Sequence, residues 1–202
     1  MGNQQSYMTK NLIKEIQTYY EHYLTIRNEV DLHDELFTMT LKEQGIENWN
    51  RAPFFFELVF NALSDSFSMS LARLFDKSEK AKSMMSLITK CKKNISLFQN
   101  PQDIQLKLEA FEQELMSDQM ICDAIPALRD RRDKLYAHND KKYFVEPEKV
   151  LQQPVHMYQI WMLLDKIDIL LNALLSGLSA TIPSQSKRYR DHSDLKNLLG
   201  RN

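Results

Sequence analysis

Leu12, Ile16, Tyr19, Tyr23, Ile26 and Val30 recur every three or four positions, and this unbroken stripe constrains the fold more than any other feature of the chain. Such spacing gathers side chains on one face of an α-helix, whereas a half-buried strand needs alternation by two. It predicts helix from about Asn3 to Lys42, as one long helix or two in succession. Gly45 to Pro53 is expected to break it, with Pro53 suited to the first turn of the next helix. From Phe56 the series Phe60, Leu63, Phe67, Leu71 and Leu74 repeats the period. Shorter helices are expected from about Ala81 to Lys93 and from Gln102 to Met116, joined by a linker over 94–101. Asp123 is expected to cap a helix that carries Pro126 in its first turn and runs to about Asn139. After an irregular connection over 141–153, Val155, Ile160, Leu164, Ile167, Leu171, Leu174 and Leu178 mark a last long helix. Only 4 Gly and 6 Pro punctuate the 202 residues, and β-branched runs are nearly absent. The expected fold class is therefore all-α, a bundle of long antiparallel helices. One domain is expected over 1–182, followed by a polar, mobile tail over 183–202.

A formal charge of −1 gives no whole-protein field toward nucleic acid or an acidic membrane, so any such contact must come from a local patch. Cys91 and Cys122 stand without close Cys or His neighbours, which fits two buried thiols in a reducing compartment. The first residues lack the basic flank and apolar run of a secretory signal, and a cytoplasmic location is expected. Gly2 and Ser6 match the spacing of a myristoylation site, but no polybasic neighbourhood accompanies them. The longest apolar stretch, Ile160 to Leu178, contains Asp165, Lys166, Asp168 and Asn172, which suits a core helix and not a membrane span.

The one chemically distinctive segment is Arg132-Asp133-Lys134-Leu135-Tyr136-Ala137-His138. On a helical wheel with Leu128 at zero, Leu135 falls at about −20°, Arg132 at about +40° and His138 at about −80°. The Arg and the His thus flank one apolar seam, about 9 Å apart along the axis. Packing of Leu128 and Leu135 against a second copy of the helix would gather both pairs around one groove, so a homodimer with a composite site is expected. Arg129, Arg131, Arg132, Lys134, Lys141 and Lys142 outnumber Asp130, Asp133 and Asp140 six to three, a local +3 over 129–142. With Tyr136 and Tyr143 available to stack on bases, the segment has the ingredients of an RNA site.

The same string, placed at the end of a helix, resembles the motif of HEPN-type ribonucleases, and the run from Arg131 to Lys142 is especially similar to the abortive-infection U branch of that superfamily. The resemblance implies an HEPN-like helical bundle and a metal-independent endoribonuclease acting on single-stranded or structured RNA, in phage defence or growth arrest. It implies that Arg132, Asp133 and His138 are catalytic: His138 as general acid or base, Arg132 stabilising phosphoryl charge, Asp133 orienting one of the two. Arg129, Arg131, Lys134, Tyr136, Lys141, Lys142 and Tyr143 would bind RNA. The implied partners are RNA, a second copy of the chain and an antitoxin or other regulatory protein, with no membrane, cofactor or metal. Many HEPN toxins carry a Tyr two residues after the motif His, the site their antitoxins modify. Here that position is Asp140 and the nearest Tyr is Tyr143, a difference that bears on such regulation. Arg131, at about −60° on the wheel, shares the face of His138 and could share or take the role of Arg132.

Other clusters are set aside. Asp31, His33 and Asp34 offer metal-ligand types, but no second His stands at the i+4 spacing, and a solvated acidic face is expected. His22 lies 11 residues from His33, and His156 and His192 are isolated in sequence. Ser64, Ser66, Ser68 and Ser70 lack a nearby His or Gly elbow for a nucleophile, and no glycine-rich phosphate loop is present. Two alternatives to the ribonuclease remain: a non-catalytic HEPN-like dimer binding RNA, a nucleotide or a protein, and a structural module in which Arg132 and Asp133 form a salt bridge.

Overall fold

The long apolar stripe becomes one uninterrupted helix, α1 (Gly2–Thr40). In the computed structural model, which describes residues 2–41, 43–78, 81–133 and 155–183, it is followed by α2 (Glu43–Arg51), α3 (Pro53–Leu74) and α4 (Met84–Lys93). A short 3-10 turn (Ile95–Leu97) leads into α5 (Pro101–Ser117), α6 (Gln119–Arg131) and α7 (Met157–Gly177). The fold is all-α, and the described residues contain no strand. They divide into two compact units: 2–23 with the described residues of 69–183, and 24–68.

In the first unit α7 is the central element, with Ile160, Leu163, Leu164, Ile167, Leu170, Leu171, Leu174 and Leu175 all buried. Each such side chain contributes about 1.5–3 kcal/mol when fully withdrawn from water. Helices α5 and α6 pack on α7 and on each other. Three of the polar groups that make 160–178 a poor membrane span serve as ties in this packing. The Tyr20 hydroxyl donates to Asp168 Oδ1 at 3.1 Å and to Asn172 Oδ1 at 3.3 Å, while Lys166 pairs with Glu114 at 2.8 Å. Among the described residues, no helix is long and apolar enough to cross a membrane.

Helix starts follow local chemistry. Ser83 and Ser86 form a reciprocal capping box that begins α4 three residues later than the sequence suggests. Asn100 caps α5 with Pro101 in its first turn. For α6 the expectation is corrected. Asp118 and not Asp123 is the cap, its carboxylate accepting from Met120 N at 3.1 Å. Pro126 therefore lies inside the helix. Ile121, in the first turn, is buried, and Pro126, which cannot donate to the helix ladder, stands at an exposed position.

The expected break over Gly45 to Pro53 is also corrected: most of it is helix α2, and the chain leaves helical geometry only around Leu41 and at Ala52. Gly45 is helical and buried, and a Cβ there would lie 1.9 Å from the Met39 carbonyl oxygen. The glycine thus permits a close backbone approach at the turn from α1 into α2. The second unit is built around Leu36, Met39 and Phe56, with Trp49 stacked on Phe56 at 5.2 Å between ring centroids.

Candidate active site

Helix α3 ends at Leu74, and the chain turns away through Phe75 and Asp76. Asp76 Oδ1 accepts the backbone N–H of Ser78 at 2.8 Å, which fixes the carboxylate at the helix end. Helix α6 delivers Arg132 to the same place, continuing past Arg131 into a wider π-type turn at Arg132 and Asp133. The Arg132 guanidinium donates from Nη1 to Asp76 Oδ2 at 2.5 Å and, more weakly, to the Ala72 carbonyl at 3.5 Å. Its Nε donates to Asp133 Oδ1 at 2.7 Å. The arginine therefore sits on the C-terminal end of α3, where unpaired carbonyls carry partial negative charge and favour a cation.

The electrostatics follow from these bonds. The hydrogen bonds from Arg132 to Asp133 and then to Asp76 raise its pKa above the ordinary guanidinium value. The Ser78 N–H and then Arg132 hold the Asp76 carboxyl below its usual range, with the Arg129 charge acting in the same direction. Only 16% of the Arg132 side chain is exposed, against 48% for Asp133, so the arginine is the enclosed member of that pair.

Of the residues singled out in the sequence, Arg129, Arg131, Arg132 and Asp133 are described, and Arg132 with Asp133 are brought together. Arg129 and Arg131 are partly buried, and the Nε of each is covered without a hydrogen-bond partner among the described residues. Lys134, Leu135, Tyr136, His138, Lys141, Lys142 and Tyr143 lie outside the described residues. Asp76 and the Ala72 carbonyl were not foreseen. They lie 56 and 60 residues from Arg132 in sequence, and Phe75-Asp76-Lys77-Ser78 reads only as a turn.

Leu128 corrects the seam geometry. It is 1% exposed within the single chain, covered by the chain's own residues, and so cannot be the surface on which a second copy packs. The thiols are corrected in part: Cys91 is buried, its pKa pushed up to about 12 chiefly by burial, but Cys122 is partly exposed and donates to the Leu115 carbonyl at 3.5 Å.

His33 is a third correction, since it does not share a solvated acidic face. The ring is buried, with Phe60 at 3.9 Å and Phe67 at 5.4 Å between centroids, and burial pushes its pKa down. One turn earlier on α1, Glu29 accepts from the Ser66 hydroxyl at 2.8 Å, and its pKa is raised by burial. Among the described residues, no group of three or more His, Cys, Asp or Glu side chains could hold a metal ion.

Residues 9–198 match the model of AbiU2, an HEPN family, and the chain belongs to that family. No curated protein and no solved structure matches it.

Proposed function

We propose that this chain is a metal-independent endoribonuclease of the HEPN type, with Arg132 and His138 as its catalytic pair. The observation that carries the reading is the state of Arg132 in a chain of this family. Its guanidinium is held through Nε and Nη1, and no bond to Nη2 is present among the described residues. A planar donor edge held in one orientation suits a phosphoryl oxygen, and a preorganised donor stabilises charge developing there without reorganising during reaction. In this reading the RNA 2′-oxygen attacks the adjacent phosphorus as a base removes its proton. The bond to the 5′-oxygen breaks, and that oxygen takes a proton from an acid. His138 serves as that base or acid because imidazole titrates near neutral pH. The products are a 2′,3′-cyclic phosphate and a 5′-hydroxyl.

Asp133 keeps the Arg132 guanidinium oriented. Arg129, Arg131, Lys134, Lys141 and Lys142 attract the phosphate backbone, and Tyr136 and Tyr143 stack on bases. The chain acts in the cytoplasm as a homodimer in phage defence or growth arrest, under the control of an antitoxin or another regulatory protein. A second reading, an HEPN module that binds RNA, a nucleotide or a protein without cleaving, is favoured by one observation: two carboxylates already pair with Arg132.

Cleavage of a labelled single-stranded RNA panel by His138→Ala, Arg132→Ala and Arg131→Ala, with matched circular-dichroism melts, separates the two. The ribonuclease reading predicts a loss of about 10²–10⁴-fold for each of the first two. Arg131→Ala should retain much more activity. Arg132→Ala also strands Asp76, so a stability loss of about 1–3 kcal/mol is expected beside the loss of rate. Full cleavage by His138→Ala would remove its catalytic role, and an inactive wild-type chain that still binds RNA would favour the second reading.

A further inference from the structure

We propose that Asp76 is a positioning residue for cleavage: it holds Arg132 so that the Nη2 edge is presented to the scissile phosphoryl group. This rests on the ribonuclease reading and adds to it a residue from a different helix.

A guanidinium has five N–H donors. Those on Nε and Nη1 are directed to Asp133, Asp76 and the Ala72 carbonyl, while the Nη2 pair meets no acceptor among the described residues. The two carboxylates do different work. Asp133 is the next residue in the chain and about half exposed, so it turns the guanidinium relative to α6 but moves wherever α6 moves. Asp76 ties the same group to the end of α3, where Leu71, Ala72, Leu74 and Phe75 are all buried. It is itself immobilised, since one oxygen accepts from Ser78 N while the other takes Arg132 Nη1. The arginine is thus referenced to the core of the first unit through Asp76. Without that tie, a long side chain with several rotatable bonds would place its free edge over a range of positions. Misplacement by about 1 Å at a reacting centre costs on the order of 10²-fold in rate.

The test is steady-state cleavage of a labelled single-stranded RNA oligonucleotide by wild type, Asp76→Asn, Asp76→Glu, Arg132→Ala and the double variant D76N/R132A, each with a circular-dichroism spectrum. Asp76→Asn keeps the shape of the side chain and removes its charge. It should lower kcat about 10–100-fold while KM changes little, because a positioned donor matters most where phosphoryl charge peaks in the transition state. On the R132A background the same change should cost nothing further, since neighbours that act through one another are not additive. A wild-type kcat for D76N, a rise in KM alone, or a full additional loss in the double variant would each overturn the proposal. Should D76N lose its helical signal, Asp76→Glu decides: it keeps the charge but moves the carboxylate by one methylene, and a wild-type kcat there also overturns the proposal. If wild type cleaves and D76N cleaves equally well, Asp76 alone is excluded. If wild type cleaves no RNA, the ribonuclease reading fails and the role of Asp76 fails with it.

Discussion

His33 stands in the string Asp31-Leu32-His33-Asp34-Glu35, whose carboxylates suggest water, yet its ring lies among Phe60 and Phe67. The charge run was legible; the depth of one helical face was not, because burial depends on which side α3 covers. The same limit hid Asp76, whose partner comes from another helix, whereas Arg132 and Asp133 were legible as neighbours in a motif. The surroundings of His33 have a consequence for stability. Burial lowers its folded-state pKa, with Asp34 acting weakly the other way. The unfolded chain therefore binds the proton more readily, and stability is lost as pH falls from about 6.5 toward the folded value. Glu29, raised by burial, has the opposite sign: its contribution is present below the usual carboxylate pKa and fades as pH rises through the folded value. As the pH falls from about 7.5 to about 5.5, the urea midpoint of wild type should drop relative to that of His33→Leu, because only wild type buries an imidazole that the unfolded chain protonates more readily. Parallel slopes would contradict a neutral, buried His33.

Helix existence was readable almost throughout, because apolar stripes such as Leu12 to Val30 and Phe56 to Leu74 extend over several turns and leave no other period. Helix edges were less so, and two of the displaced ones share a cause. Gly45 and Pro126 are residues that usually end or begin helices, but here tertiary contacts override that preference: a close backbone approach requires the glycine, and an exposed face tolerates the proline. Gly45→Ala tests the first. Alanine gains about 1 kcal/mol of helix propensity over glycine. Against this, its Cβ would press on the backbone of Met39, with the carbonyl oxygen 1.9 Å away, and a backbone cannot turn aside as a side-chain tip can. Overpacking should win, with a net loss of about 1–3 kcal/mol in chemical denaturation. An unchanged or raised midpoint would show that the α1–α2 turn relaxes freely.

For the whole molecule, the all-α class and the family follow from the sequence, while division of the described residues into two compact units has no signature in it. Both α1 and α3 run through the division at Tyr23/Leu24 and Ser68/Met69 without a glycine, a proline or a change of period. The proposed homodimer must use residues other than Leu128, which is covered within one chain. Sedimentation at micromolar concentration should give a dimer, and a strictly monomeric chain would rule out a groove shared by two copies of the motif. In the proposed reaction Arg132 and His138 promote attack by the neighbouring 2′-hydroxyl with no metal. The most direct measurement is mass spectrometry of the ends formed when wild type digests an RNA oligonucleotide in excess EDTA, beside the same oligonucleotide with a single 2′-deoxy substitution at the cleaved position. Wild type should leave 2′,3′-cyclic phosphate and 5′-hydroxyl ends in EDTA, and make no cut at the substituted position. Cleavage that stops in EDTA and returns with one divalent ion, or 5′-phosphate ends, would contradict it.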